Sequence, residues 1–183
     1  RTFDPNQLAT HDFSAAGAAK SRLLEGGAAS PLNNKAIEGV LPPGSTFKII
    51  TAAEALESGA YDDAESLVPG GPSYQLPLTR GDKNRIDNGG RECGTDEITL
   101  TQAIANSCNT TFLALADELG LEQLLERAER FGFNSDYLDD LGPQAESNFP
   151  SGMNEPETGQ SGIGQFEVQA TPLQMAMVSA AIA

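Results

Sequence analysis

At 183 residues, 39% of them hydrophobic, the chain is long enough and apolar enough for one domain with a sizeable core. Its net charge of −15, from 26 acidic and 11 basic residues, argues against nucleic acid or an anionic membrane surface as a partner, since both need clustered Lys and Arg. One histidine and two cysteines are too few for a zinc site, so neither a metal centre nor another cofactor is expected, and no apolar run reaches the roughly 18 residues of a membrane span.

Residues 1–10 read as loop, with a turn at Asp4-Pro5-Asn6, and His11 reads as a surface side chain. The Ala-rich stretch 13–25, with Lys20 and Arg22 near its end and Gly26-Gly27 after it, predicts a short amphipathic helix. A turn over 30–34 follows, and 35–40 is short and extended. Pro42-Pro43-Gly44 stops whatever precedes it, and Ser45 opens an apolar run of Phe47, Ile49, Ile50, Ala52, Ala53, Ala55 and Leu56. This predicts a helix over 45–58 that is apolar nearly all round and therefore buried, with Gly59 as its cap. Residues 61–93 are rich in Pro and Gly, and the runs 73–78 and 84–86 between turn signals predict short strands or hairpins.

Residues 95–100 return to helix, with Thr99 as N-cap and Gln102 completing a capping box. That helix should run to Asn106, be interrupted at Ser107-Cys108-Asn109, and resume over 110–119 until Gly120 closes it. Residues 121–131 predict a third helix, with Leu124, Leu125, Ala128 and Phe131 inward and Glu122, Glu126, Arg127, Glu129 and Arg130 in solvent. Residues 132–160 read as a long polar loop. The glycine-rich 161–165 lacks the Lys and Ser/Thr of a phosphate-binding loop, and Thr171-Pro172 starts a last helix. That helix meets the chain end inside its apolar stretch, Met175 to Ala183, so a segment of a longer protein is expected.

Two motifs carry chemistry. Ser45 and Lys48 are three residues apart and share one helix face. Helix N-terminal amides favour negative charge on nearby oxygens, and burial pushes a lysine toward a pKa at which it accepts a proton. Taken singly, such a pair is more often a cap and a solvated lysine. Ser107-Cys108-Asn109 lies between two helices, where the hydroxyl can relay a proton and the carboxamide can hydrogen-bond a peptide-like substrate. Taken singly, it too is more often a pair of caps. Cys93 and Cys108 would form a disulfide worth about 3 kcal/mol in an oxidising compartment and would be two separate thiols in the cytosol.

Together the motifs follow, in order, the Ser-x-x-Lys and Ser-Asp-Asn elements of penicillin-binding proteins and serine β-lactamases. The wider pattern is more specific: Pro42-Pro43-Gly44-Ser45-Thr46-Phe47-Lys48, then Ser107-Cys108-Asn109-Thr110-Thr111-Phe112, then Gly162-Ile163-Gly164-Gln165 before Thr171-Pro172-Leu173-Gln174-Met175-Ala176. With the opening Phe3-Asp4-Pro5-Asn6, this closely resembles the transpeptidase domain of class B penicillin-binding proteins across essentially the whole chain. A Cys before the second motif and one inside it are similar to actinobacterial members, which favours a Cys93–Cys108 disulfide.

The resemblance implies an α+β transpeptidase fold of the penicillin-binding-protein and serine β-lactamase type. Residues 1–183 would be its central part, mostly helical with short hairpins and without most of the central sheet. It implies a D,D-transpeptidase that cross-links peptidoglycan stem peptides through a serine acyl-enzyme and is a target of β-lactams. Ser45 would be the nucleophile, Lys48 the base, Ser107 the proton relay, Asn109 the ligand of the substrate amide, and the Ser45 N–H one half of the oxyanion hole. The parent protein would face the extracytoplasmic side of a bacterial membrane, held by an N-terminal transmembrane helix outside these residues, with cell-wall synthesis proteins as further partners. The family's Lys-Thr-Gly is absent from this sequence, so this segment by itself is expected to be inactive. The rival readings are a serine β-lactamase, with Glu146, Glu155 or Glu157 activating water, and a non-catalytic β-lactam sensor or cell-wall scaffold.

Overall fold

The computed structural model describes residues 3–136, 139–142 and 144–183. Asp12 caps helix α1 (Phe13–Leu24) by accepting from the Ser14 and Ala15 N–H groups. The helix has the predicted extent but hardly the predicted amphipathic role, since Ala19 is its one buried residue and Phe13 is 90% exposed. The stretch expected to be extended after it is a turn. Asn34 folds it, its side chain accepting from Ala36 N and its carbonyl from Ile37 N and Glu38 N, so an Asx turn wins over a strand.

The central helix begins as a 3₁₀ turn, Gly44–Phe47, and continues as α2 (Lys48–Glu57), with Gly59 at φ +77° beyond its end. Ile50, Ala52 and Ala55 enter the core, but Ile49 and Leu56 are only half-covered and line an open apolar groove with Leu100, Ile104 and Ile182. The expectation of burial all round therefore holds on one side of α2 only.

Strands β1 (Leu67–Pro69), β2 (Ser73–Gln75), β3 (Arg85–Asp87) and β4 (Glu97–Thr99) form two antiparallel pairs among the described residues, β1 with β4 and the hairpin β2–β3 inside that pair. The hairpin was predicted. The β1–β4 pair was not, and the approach to Thr99 is strand where helix was expected. An N-cap residue has extended dihedrals, here φ −70° and ψ 148°, so a strand leads into it as readily as a loop does. Thr99 still caps α3 (Leu100–Ala105), accepting from Gln102 N.

Helix α4 (Asn109–Arg130) is broken at Gly120, φ 77° and ψ 168°, into the two predicted pieces. Its first piece lays Phe112, Leu113, Leu115 and Ala116, all fully buried, against α2 and against α5 (Glu155–Ser161). Helix α5 falls in the stretch read as a loop. Its signal was present: Asn154 and Glu157 form a capping box around Pro156. Helix α6 (Pro172–Ile182) starts on the Thr171 cap as expected.

Arg127 does not face solvent. It is 8% exposed, its Nε donating to Glu54 of α2 at 2.6 Å and its Nη1 to Glu57 at 2.5 Å. It lies beside the inward Leu124 and Ala128, so the helix face carries it against α2, where two carboxylates make the burial tolerable. Glu54→Ala leaves the buried Nε edge of this guanidinium without its carboxylate, with Glu57 still on Nη1, and should lower unfolding stability by about 2 kcal/mol in denaturant titration, while Glu54→Leu with Arg127→Leu should recover most of the loss.

Candidate active site

The 3₁₀ geometry sharpens the first motif. With three residues per turn, positions i and i+3 eclipse, so Ser45 and Lys48 stand one above the other. Ser45 is exposed and Lys48 is 1% exposed. The turn is held from four sides. The Thr46 hydroxyl donates to Pro43 O at 2.7 Å, and Leu41 pairs with Ala170 through two backbone bonds. The Phe47 ring stacks on Phe149 at 5.5 Å and meets Phe133 edge-on at 5.6 Å. Gly44 N donates to Gly164 O at 3.0 Å. Gly164 has φ +68°, and a Cβ there would sit 2.7 Å from Gly44 N, so only glycine lets this strand of backbone lie on the turn. The glycine-rich stretch is thus a backbone clamp, tied also to α2 by the Thr51 hydroxyl on Gly162 O at 2.8 Å.

Ser107 sits where a helix terminator usually has glycine. Its N–H bonds Ile104 O and the Cys108 N–H bonds Ala103 O, which is a Schellman closure of α3 with Ser107 at φ 53°. A non-glycine residue there costs on the order of 1 kcal/mol. The neighbours hold it: Cys108 is joined by a disulfide to Cys93, and Asn88, 2% exposed, accepts from Thr110 N at 3.0 Å and donates to Gly71 O at 2.9 Å. In the sequence Asn88-Gly89-Gly90 reads only as one of the turn signals within 61–93, and its Asn is the available signal.

Lys48 joins the two motifs. Its Nζ lies 2.8 Å from Ser107 O, 2.8 Å from Asn109 Oδ1 and 3.1 Å from Ser107 Oγ. The Phe112 ring lies 5.7 Å away on another side. Burial first, and the charge of Arg91 second, push its pKa down to about 8. Two of the three oxygens are carbonyls that only accept. A neutral amine therefore uses its two N–H groups on them and keeps its lone pair for a hydroxyl proton. Asn109 also donates to Asp87 O at 2.9 Å, which leaves one N–H and one lone pair of its amide for a ligand. Ser45 Oγ carries no hydrogen bond among the described residues. No group of three or more His, Cys, Asp or Glu placed to hold a metal occurs among them either.

The chain matches the penicillin binding protein transpeptidase domain over residues 1–183, and it belongs to that family. It is 38% identical over its whole length to the peptidoglycan D,D-transpeptidase PbpA of Mycolicibacterium smegmatis, of which it covers 36%. It is 34% identical over 160 residues, 82% of the chain, to the peptidoglycan D,D-transpeptidase MrdA of Acinetobacter baumannii, of which it covers 23%. The structure of penicillin-binding protein A from Mycobacterium tuberculosis as a penicillin G acyl-enzyme superposes with a TM-score of 0.87 and 36% identity, covering 99% of this chain and 41% of that one. The fold is therefore the expected transpeptidase fold in a mostly helical portion, and the chain spans only about a quarter to a third of the length of the curated relatives named here.

Ser107→Gly removes the hydroxyl and relieves the left-handed backbone together. In the full-length protein it should leave the melting temperature equal or higher and slow β-lactam acylation about a hundredfold. Gly164→Ala should slow acylation as well, with a lowered melting temperature, because the turn that carries Ser45 must move to admit the methyl group.

Proposed function

We propose that this chain is the central part of a D,D-transpeptidase domain that cross-links peptidoglycan stem peptides through an acyl-enzyme on Ser45 and that β-lactams acylate. The observation that carries this is the buried Lys48 amine, shared between Ser107 and Asn109, one 3₁₀ turn after an exposed serine. Ser45 Oγ bonds to the carbonyl carbon of the penultimate D-Ala as its proton passes to Lys48 Nζ. The C–N bond to the terminal D-Ala breaks as that proton travels through Ser107 Oγ to the departing nitrogen. An acceptor amine then attacks the Ser45 ester, and the proton it sheds returns by the same route to Ser45 Oγ. Asn109 hydrogen-bonds an amide of the acyl part. The Ser45 N–H, among the first groups of a helix that lack an intrahelical acceptor, faces the developing oxyanion.

The remainder of the parent protein supplies the Lys-Thr-Gly strand and the central sheet. The apolar groove along Ile49, Leu56 and Ile104 supports this, being a face of the right chemistry for a sheet to cover. The parent works at the extracytoplasmic face, anchored by a transmembrane helix outside these residues, alongside other cell-wall synthesis proteins. The disulfide suits that compartment, and no helix among the described residues is long and apolar enough to cross a membrane. A β-lactamase is disfavoured by what one of its candidate bases does: the Glu157 carboxylate accepts from Asn154 N in the capping box.

Intact mass of the full-length protein incubated with benzylpenicillin tests this. A stable adduct on the Ser45 peptide, absent in Ser45→Ala, is expected. Rapid return to the unmodified mass with consumption of the drug would indicate a β-lactamase, and no adduct in folded protein would indicate a scaffold.

A further inference from the structure

The loop after β3 is fastened to the site at three independent points. Asp87 O accepts from Asn109 Nδ2, the Asn88 side chain accepts from Thr110 N, and Cys93 is bonded to Cys108. Between these anchors stands Arg91, exposed, on a chain whose net charge is −15. Its orientation is set from within the loop: both its backbone N–H and its Nε–H donate to Asn88 O. Nη2 lies over Gly89, where even an added Cβ would approach to 3.7 Å. The Nε edge is therefore engaged, and the Nη1/Nη2 edge is left with two parallel N–H groups, the fork that matches a carboxylate. Among the described residues no carboxylate uses it. The neighbouring Asp87 carboxylate accepts from Gly89 N at 2.8 Å instead. Arg91 is also near enough to Lys48 for its charge to be felt there.

We propose that Arg91 is a specificity residue whose guanidinium takes a carboxylate carried by the acyl part of the substrate, the part that stays on Ser45 after the leaving group departs. The assignment rests on the function proposed above. In that scheme Asn109 holds an amide of the acyl part, and the Arg91 loop is hung on Asn109 itself and on its two chain neighbours, so the charge belongs to that side of the scissile bond. Lys48 cannot serve this purpose while it acts as a neutral base. Arg91 then supplies a permanent positive charge at the cleft, against an acidic surface that otherwise repels anionic peptides.

Benzylpenicillin and carbenicillin differ by one carboxylate on the acyl side chain, and they are the probes. Second-order acylation rate constants are measured for the full-length protein, for Arg91→Gln and for Arg91→Lys, and the ratio of carbenicillin to benzylpenicillin is compared. Any change at Lys48 slows or speeds both drugs and cancels in the ratio. The ratio should fall about tenfold in Arg91→Gln, as expected for losing a charge-assisted pair, and recover in large part in Arg91→Lys. An unchanged ratio in Arg91→Gln, whether or not both rates fall together, overturns the proposal. If benzylpenicillin fails to acylate the unmodified protein, the transpeptidase scheme itself fails and takes the proposal with it.

Discussion

The structure turns on one buried amine. Lys48 reaches from the start of α2 to the junction of α3 and α4 and places its nitrogen among three oxygens of Ser107 and Asn109. An ammonium group in that position is desolvated, and with Arg91 nearby it is further disfavoured, which lowers the pKa to about 8, so that a usable minority of the amine is neutral near physiological pH. The two carbonyl acceptors then fix which way the lone pair points. Hydrogen bonding that would hold a charged lysine in place also orients a neutral one, and the same three contacts explain both why the side chain can be buried and why it can take a proton.

The rest of the fold reads as support for that contact. On one side, the Gly164 backbone, the Phe47 rings and the Leu41–Ala170 pairing fix the turn that carries Ser45. On the other, a Schellman closure with serine in a left-handed conformation presents both its hydroxyl and its carbonyl to Lys48. That conformation is unfavourable for a side chain with a Cβ, and the disulfide at Cys108 and the Asn88 bond to Thr110 hold the chain just beyond it. The far end of α2 is secured by Arg127, so the helix that follows Ser45 is fixed against α4 at both ends.

Much of this was legible in the sequence, because local chemistry specified it. The Thr99 and Thr171 caps, the Gly120 break and the β2–β3 hairpin need only a few neighbouring residues. Ser45, Lys48, Ser107 and Asn109 stood out through their flanks. What was missed depended on distant partners. Arg127 is polar by any local measure and becomes a buried residue only because Glu54, on another helix, faces it. The β1–β4 pair closes over the whole β2–β3 hairpin, and three residues of each strand carry too little alternation to announce it. The 3₁₀ start of α2 is held by distant partners, Gly164 on Gly44 and Phe133 on Phe47. The role of Asn88 was hidden for the same reason, since its partners lie on α4 and at Gly71.

The central claim is that Lys48 is a base poised near neutrality, and its titration measures this directly. Full-length protein labelled with ¹³C and ¹⁵N in lysine, with Lys48→Arg to assign the signal, can be followed by NMR across pH. The account predicts a midpoint near 8, so that roughly one amine in ten is already neutral at pH 7 and the fraction rises as pH increases. A midpoint in the ordinary lysine range, about 10.4, would contradict it, since the buried nitrogen would then be a fixed cation unable to accept the Ser45 proton.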